Sequence, residues 1–355
     1  MPVLAAGDAI GNHVLRIRRI LREAGYDSEV FAGEIHHAVR REARSHLDYR
    51  PPPAATPTWF LYHLSTGHSM AAWLAERPEP LGVDYHNITP AEYFDRWYPP
   101  AAEVARAARA EMRKLASRSR FALADSSYNA AELDAEGYRQ TSVAPILIDF
   151  SEYDAPPDAA TLGRLRRRAE GGGAHWLFVG RLSANKCQHD VIGAFAVYRR
   201  LYDPRARLSI VGGRTALLYS RALQLLAADL GVADAVDFAE ALSFDRLLAY
   251  FSTADVFVSL SEHEGFCVPV LEAMHFSVPV VAYSSTAVPE TVADAALLLD
   301  DKDPLVVATA VHRVLTDGPF RERLVAAGTA RVAHFSFQSN RARFLAALET
   351  GLARG

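Results

Sequence analysis

The chain alternates short apolar runs with longer segments in which apolar residues recur every three or four positions. In the first half, 2–6 is a short apolar run. A polar loop with glycines, 7–12, follows it. The stretch 14–24 then places Val14, Ile17, Leu21 and Ala24 at helical spacing. Segments 28–32, 59–63, 83–86, 121–124 and 141–145 read as strands, and 103–117 as a helix. The second half repeats the theme more clearly. Strands are predicted at 176–179, 206–211, 235–238, 256–260, 278–282 and 296–299. Helices are predicted between them at 190–201, 216–230, 244–252, 269–275 and 304–317, and 335–353 closes the chain as an amphipathic helix. Strands separated by helices of this length need right-handed crossovers, which make parallel sheets.

The segment 151–173 interrupts the pattern with Pro156-Pro157, a basic run over 164–168 and three glycines, Gly171, Gly172 and Gly173. It reads as a linker with a short helix inside, its basic run solvated. The fold class is therefore α/β, with two doubly wound, Rossmann-like parallel-sheet domains at 1–150 and 174–334. The irregular stretch from Arg40-Arg41 to Pro51-Pro52-Pro53 is expected to lie over the first sheet as a loop. Ligands in such sheets sit at the carboxyl ends of the strands, and a central cleft between two such domains is the expected site.

Composition narrows the classes. The 355 residues are 50% hydrophobic and 23% charged, a globular balance. With 38 basic against 42 acidic residues, net charge −4, the chain does not read as a nucleic-acid binder. Cys187 and Cys267 are the two cysteines, which excludes a disulfide framework. No run approaches the ~18 apolar residues of a membrane span and no basic leader is visible, so a soluble cytoplasmic protein is expected. Arg16, Arg18, Arg19 and Arg22 form a basic helix face that suits solvent or peripheral contact with an anionic membrane. Lysine is scarce: Lys114, Lys186 and Lys302 are the three.

Candidate chemistry gathers at the strand ends of the second half. After 176–179 come Gly180, Arg181 and, five residues on, Lys186. A glycine there lets a ligand approach the backbone, and two cations suit a diphosphate, one as a planar fork and one as a point charge. The next strand ends in Gly212-Gly213-Arg214, a junction compatible with phosphate at a helix N-terminus. The strand 256–260 leads into Ser261-Glu262-His263-Glu264-Gly265-Phe266-Cys267-Val268-Pro269-Val270-Leu271-Glu272. Gly265 permits an unusual backbone angle and Pro269 suits a first helical turn. Backbone N–H groups of 266–268 would then point out of a helix N-terminus, with Glu264 at its mouth and Glu272 farther along. Base contacts are expected from the backbone near Ala239 and Leu242. Asp301-Lys302-Asp303 reads as a cap and turn rather than a metal motif. Glu262-His263-Glu264 lacks zinc-type partners, and no metal ligands are assigned.

The 261–274 string resembles the E-x7-E element of retaining glycosyltransferases of the GT-B fold, specifically glycosyltransferase family 4. Gly180-Arg181 with Lys186 resembles that family's diphosphate-binding pair. Ser285-Thr286-Ala287-Val288-Pro289-Glu290 resembles the segment that follows. In the first half, Gly7-Asp8-Ala9-Ile10-Gly11-Asn12 resembles the family's glycine-bearing loop. Tyr85-His86-Asn87-Ile88-Thr89-Pro90 resembles the stretch that carries a histidine to the cleft. The closing helix, 335–355, resembles the one that crosses back onto the first domain.

The resemblance implies transfer of a hexose from a nucleotide-diphosphate sugar to an acceptor hydroxyl, with retention and without a metal or cofactor. Glu264 would hold the donor sugar, Glu272 the ribose, and Arg181 and Lys186 the diphosphate, while His86 would face the sugar. Gly11, Gly180, Gly213, Arg214, Ala239, Leu242, Gly265, Phe266, Cys267 and Val268 complete the donor site. Asp8, Asn12, His63, Thr66 and Thr89 are the acceptor-side candidates. The family usually has glycine where Cys267 stands. A nucleotide-sugar epimerase, a sugar-phosphate synthase and a catalytically silent nucleotide-sugar-binding module share the fold and are the alternatives.

Overall fold

A parallel strand is covered on both faces, so it reads as a continuous buried run. Leu81–Tyr85 is such a strand: all five residues are buried, Asp84 among them. The structure, a computed structural model, describes every residue except Ala6, Ala54, Ala55, Ala241 and Gly355, and not the side chain of Arg354. The chain divides into two units. The first comprises Met1–Ala91, Pro100–Ile148 and Phe335–Gly355, and the second Glu92–Pro99 and Asp149–His334.

In the first unit the strands are β1 Val3–Leu4, β2 Phe31–Ala32, β3 Glu34–Ile35, β4 Arg44–Ser45, β5 Phe60–Leu64, β6 Leu81–Tyr85, β7 Ser119–Ala124 and β8 Thr141–Val143. Strands β5-β6-β7-β8 form one parallel sheet, and β1-β3 and β2-β4 form two short parallel pairs. The 40–53 stretch is thus not all loop, because β4 pairs with β2. Helix Ala9–Glu23 starts earlier than periodicity suggests: the Asp8 carboxylate accepts from the Gly11 N–H at 3.0 Å and caps it. Gly11 earns its place by packing, since a Cβ there would lie 2.9 Å from the Ala5 carbonyl oxygen.

The basic face of this helix is occupied within the unit. Arg16 donates to Leu147 O, Arg18 pairs with Glu42, Arg22 donates to Ser28 O, and Arg19 lies over the Phe337 ring. No helix among the described residues is long and apolar enough to cross a membrane. The closing helix Phe337–Arg354 packs Phe344 and Leu348 against Phe121 and Leu147. Asn340 secures its start by donating to Ile146 O at 3.0 Å.

The second unit is one six-stranded parallel sheet, ordered β11-β10-β9-β12-β13-β14. Its strands are β9 His175–Val179, β10 Arg207–Val211, β11 Val236–Ala239, β12 Val256–Ser259, β13 Val280–Tyr283 and β14 Ala296–Leu299. Trp176, Phe178, Phe195 and Tyr198 anchor the core on one face. Two sequence expectations are corrected here. The 151–173 segment is part of this unit: helix Ala159–Ala169 packs on Phe244–Phe251, Arg164 donates to Tyr250 Oη at 2.7 Å, and Arg164 and Arg168 both pair with Asp237. Its basic run is therefore partly spent on internal partners. Residues 92–99, from the first half of the chain, also belong to this unit, with the Trp97 ring 5.1 Å edge-on to Tyr219.

Phe344 is fully buried at the centre of the closing helix. Phe344→Ala is expected to cost about 3–5 kcal/mol, as large-to-small core changes do. A lowered midpoint in chemical denaturation checks it.

Candidate active site

Bare glycines bring the ends of β9 and β10 together. A Cβ on Gly212 would sit 2.0 Å from the Gly180 carbonyl oxygen, so no side chain fits there. Beyond Gly180 the chain turns through Arg181 and the short 3-10 segment Ala184–Lys186. Cys187, in the left-handed region at φ 49°, then caps helix Gln188–Leu201. Gln188 is buried and donates from Nε2 to Arg181 O at 2.8 Å, which closes the loop on itself.

The loop after β12 is fastened to this one. Glu262 N donates to Asn185 O at 2.9 Å, and Asn185 Nδ2 donates to His263 O at 3.1 Å. Lys186 Nζ then meets Glu264 Oε2 at 2.5 Å. On its other side the Glu264 peptide is held by Thr286. The Glu264 N–H donates to Thr286 Oγ1 at 2.9 Å, and the hydroxyl donates back to Glu264 O at 2.9 Å. Thr286 has φ 45°, where a β-branched residue is strained by about 1–3 kcal/mol. Cys267 has φ 71° and caps helix Val268–His275, so the backbone keeps a glycine-type angle under a cysteine side chain. Burial raises its thiol pKa well above the usual value, so it is a packed, inert group. Phe266 is buried beside it, and Gly265 and Val268 are half-buried.

Glu272 lies on that helix, buried, with Oε1 accepting from Tyr153 Oη at 2.5 Å. Burial raises its pKa to about 7, against the opposing pull of the Tyr153 hydrogen bond. Arg181 is exposed and makes no ion pair among the described residues. Arg214, by contrast, is engaged by Glu240. Gly213 has open space around it, Ala239 is buried with its carbonyl accepting from Gly212 N, and Leu242 is half-buried. Ala241, between these last two, lies outside the described residues.

Sequence reasoning missed Lys302. Asp303 does cap the following helix, but Lys302 turns back and donates to Glu262 Oε1 at 2.6 Å and Asp190 Oδ2 at 2.7 Å. Its ammonium also lies 5.2 Å from the Tyr283 ring centroid. It ties its own loop and the Glu262 loop to the first turn of helix Gln188–Leu201. Scarcity of lysine was the available signal.

In the first unit, His86 follows β6, with the Asp125 carboxylate 3.0 Å from its Nδ1 through either oxygen. Its Nε2 lies 3.0 Å from His63 Nδ1, and Asp84 Oδ2 lies 3.2 Å from that His63 atom. His13 completes the group, its Nε2 at 3.3 Å from Asp84 Oδ2. Against the cost of burial, Asp125 and Asp84 raise the His86 pKa to about 9. Burial lowers that of His63 to about 3 in spite of Asp84.

The loop carrying His86 is set by a network that no motif announced. Tyr85 Oη and Asn87 Nδ2 both donate to Glu132 Oε2, and Arg109 clamps Glu132 Oε1 and Ile88 O. Of the acceptor-side candidates, His63 joins the imidazole cluster and Asp8 is spent on helix capping. Asn12 is exposed, and Thr66 and Thr89 are half-buried.

Residues 167–331 match the family model described as glycosyl transferases group 1. The match covers fewer than half of the chain's residues. The Lys186, Glu264 and Glu272 positions all fall inside the group 1 segment. The chain is 33% identical over 231 residues to D-inositol 3-phosphate glycosyltransferase of Stackebrandtia nassauensis, covering 58% of this chain and 52% of that protein. It is 36% identical over 184 residues to the GDP-mannose-dependent alpha-(1-6)-phosphatidylinositol monomannoside mannosyltransferase of Mycobacterium tuberculosis, covering 49% and 46%. The chain thus spans about half the length of the curated relatives it matches.

Among solved structures, sucrose-phosphate synthase from Thermosynechococcus elongatus superposes with TM-score 0.76 at 20% identity, over 100% of this chain and 96% of that one. The Anabaena protein HepE in complex with UDP-glucose gives TM-score 0.64 at 19% identity, over 77% and 72%. These likenesses show the fold, which is GT-B, with two Rossmann-like sheets.

Within the group 1 segment, the Thr286 hydroxyl both accepts from and donates to the Glu264 peptide. Thr286→Val is expected to cost about 1–3 kcal/mol, because the Glu264 peptide loses both bonds. Thr286→Ser keeps them and is expected to be nearly neutral. Thermal unfolding of the two variants side by side checks this.

Proposed function

We propose that the chain is a retaining glycosyltransferase that moves a hexose from a nucleotide-diphosphate sugar to an acceptor hydroxyl. The observation that carries this reading is the Lys186–Glu264 contact. It joins the cation expected at the diphosphate to the carboxylate expected at the sugar, 78 residues apart in sequence. Sugar transfer named for the relatives supports the reaction class, and the UDP-glucose complex of HepE supports the donor class.

The chemistry follows from charge. As the glycosidic bond breaks, negative charge grows on the leaving diphosphate, and fixed cations bind that state more tightly than the ground state. Arg181, free of carboxylates among the described residues, offers a planar fork. Lys186 has three N–H donors, so it keeps Glu264 and still reaches a phosphate oxygen. Glu264 accepts from the sugar hydroxyls, and Glu272 from the ribose. The leaving phosphate oxygen takes the proton of the incoming hydroxyl on the same face, which yields retention without a carboxylate nucleophile.

Lys186→Ala and Arg181→Ala are each expected to lower turnover at saturating donor by roughly 10²–10³, the usual loss when one such donor is removed. Near-normal turnover in steady-state assays of both would remove the mechanism.

A second expectation concerns pH. Glu272 is raised to about 7 by burial, so it is neutral below that pH and a carboxylate above it. A carboxylate accepts hydroxyl hydrogen bonds more strongly than a neutral acid. Affinity for a nucleotide sugar, whose diphosphate does not titrate in this range, should therefore rise as pH increases through about 7. In Glu272→Gln the profile should be flat. Calorimetric titration across the range reads both.

A further inference from the structure

We propose that His63, Asp84 and His86 of the first unit form a binding site for one divalent transition-metal ion of the zinc class. Their ligand atoms already stand at the right spacing. His63 Nδ1 and His86 Nε2 are 3.0 Å apart, His63 Nδ1 and Asp84 Oδ2 3.2 Å, and His86 Nε2 and Asp84 Oδ2 3.7 Å. A zinc ion bound at about 2.0–2.2 Å by tetrahedrally disposed ligands holds neighbouring ligand atoms about 3.3–3.6 Å apart. The three observed edges bracket that range. All three side chains are almost fully buried, the most open being His63 at 6%.

The protons fit as well. The Asp125 carboxylate sits on His86 Nδ1, so that nitrogen carries a proton. A carboxylate behind a histidine in this way is the usual support for a metal-ligating imidazole, whose Nε2 then presents its lone pair. His13 is different. The Leu147 N–H donates to His13 Nδ1 at 3.0 Å, so the proton of the neutral ring is on Nε2 and points at Asp84 Oδ2. His13 therefore orients the carboxylate and does not ligate.

Asp84 Oδ1, the partner of the Oδ2 atom that stands among the imidazoles, is buried with no hydrogen-bond partner among the described residues, and an ion held by both oxygens of the carboxylate would satisfy it. The only other trio of ligand atoms close enough among the described residues, Cys187, His189 and Asp190, already faces the Lys302 ammonium.

Two imidazole nitrogens at 3.0 Å hold either a hydrogen or a metal ion between them. A hydrogen, on neutral His63 Nδ1 or on a His86 imidazolium, is the rival occupant. Two nitrogens and one oxygen suit zinc and its neighbours in the first transition row rather than magnesium or calcium. Three protein ligands leave a fourth position for water. The sequence assigned no metal ligands anywhere in the chain, so this site, which lies wholly in the first unit, departs from that expectation. Its failure would leave the donor reading untouched, and the reverse also holds.

The test uses the untagged full chain, stripped with chelator and titrated with zinc and then cobalt. One equivalent should bind, cobalt should give the intense visible absorption of a tetrahedral site, and zinc should raise the melting temperature. His63→Ala and Asp84→Asn should abolish the cobalt spectrum, and Asp125→Asn should weaken binding about 10–100-fold. The proposal is overturned if the folded wild-type chain shows no saturable binding, or if His63→Ala binds as wild type does. It is equally overturned if imidazole nitrogen NMR finds His86 doubly protonated with zinc in excess. The wild-type titration and spectrum decide the matter alone should a variant fail to fold.

Discussion

The contact between Lys186 and Glu264 is the point on which the second unit's loops converge. A parallel sheet delivers all its strand ends to one side, so the loops after β9 and β12 are neighbours whatever their sequence separation. Neighbouring loops full of polar groups still have to be fixed in one arrangement. Here the partly buried Lys186–Glu264 pair does it together with the Lys302 pairs and the hydrogen bonds around them. Asn185 stitches the two backbones, Thr286 braces the Glu264 peptide from behind, and Cys187 and Cys267 adopt left-handed angles so that each loop can turn directly into a helix.

The division of labour between cations is chemical. Lysine is used where one compact charge is shared among acceptors in different directions, as Lys302 is shared between Asp190 and Glu262. Arginine is used where a planar cation reaches backbone carbonyls or a carboxylate. Arg118 Nη2 donates to both Arg77 O and Glu79 O, and Arg109 Nη2 to both Ile88 O and Glu132 Oε1. Exchanging the two types at these positions is not conservative, because a planar delocalised guanidinium and a compact ammonium present their donors differently.

How much of this was legible depends on whether a residue's role is local. The strands of the second unit are close to where hydrophobic runs place them, since burial on both faces leaves an unmistakable pattern. The loops with Arg181, Lys186 and Glu264 and the helix that carries Glu272 are also readable in position, because strand ends and helix starts are local events. Other features are not. Helix Gly318–His334 buries little beyond Leu324 and Gly328, so it has almost no apolar period to find. Asp84 interrupts an apolar strand, and its role shows only in the fold, where the rings of His13, His63 and His86 surround it. Although burial opposes its ionisation, those rings hold its pKa well below the usual carboxylate range. His13, His63 and His86 share no spacing, and only the sheet brings them together. The 151–173 segment carries every mark of a linker at its ends, and the contacts that fasten its helix are to Asp237 and Tyr250, far along the chain.

The short visit of residues 92–99 to the second unit bears on how such a chain can be divided or inherited. Trp97 covers Tyr219, and the Tyr93 ring lies 6.4 Å from that of His263, beside the loop that carries Glu264. A fragment cut at Asp149 would leave both aromatics behind and uncover the face they shield. The second unit is therefore not a cassette that recombination can lift out in one piece. Any exchange of the first half between relatives has to bring along, or match, eight residues that pack with the other unit.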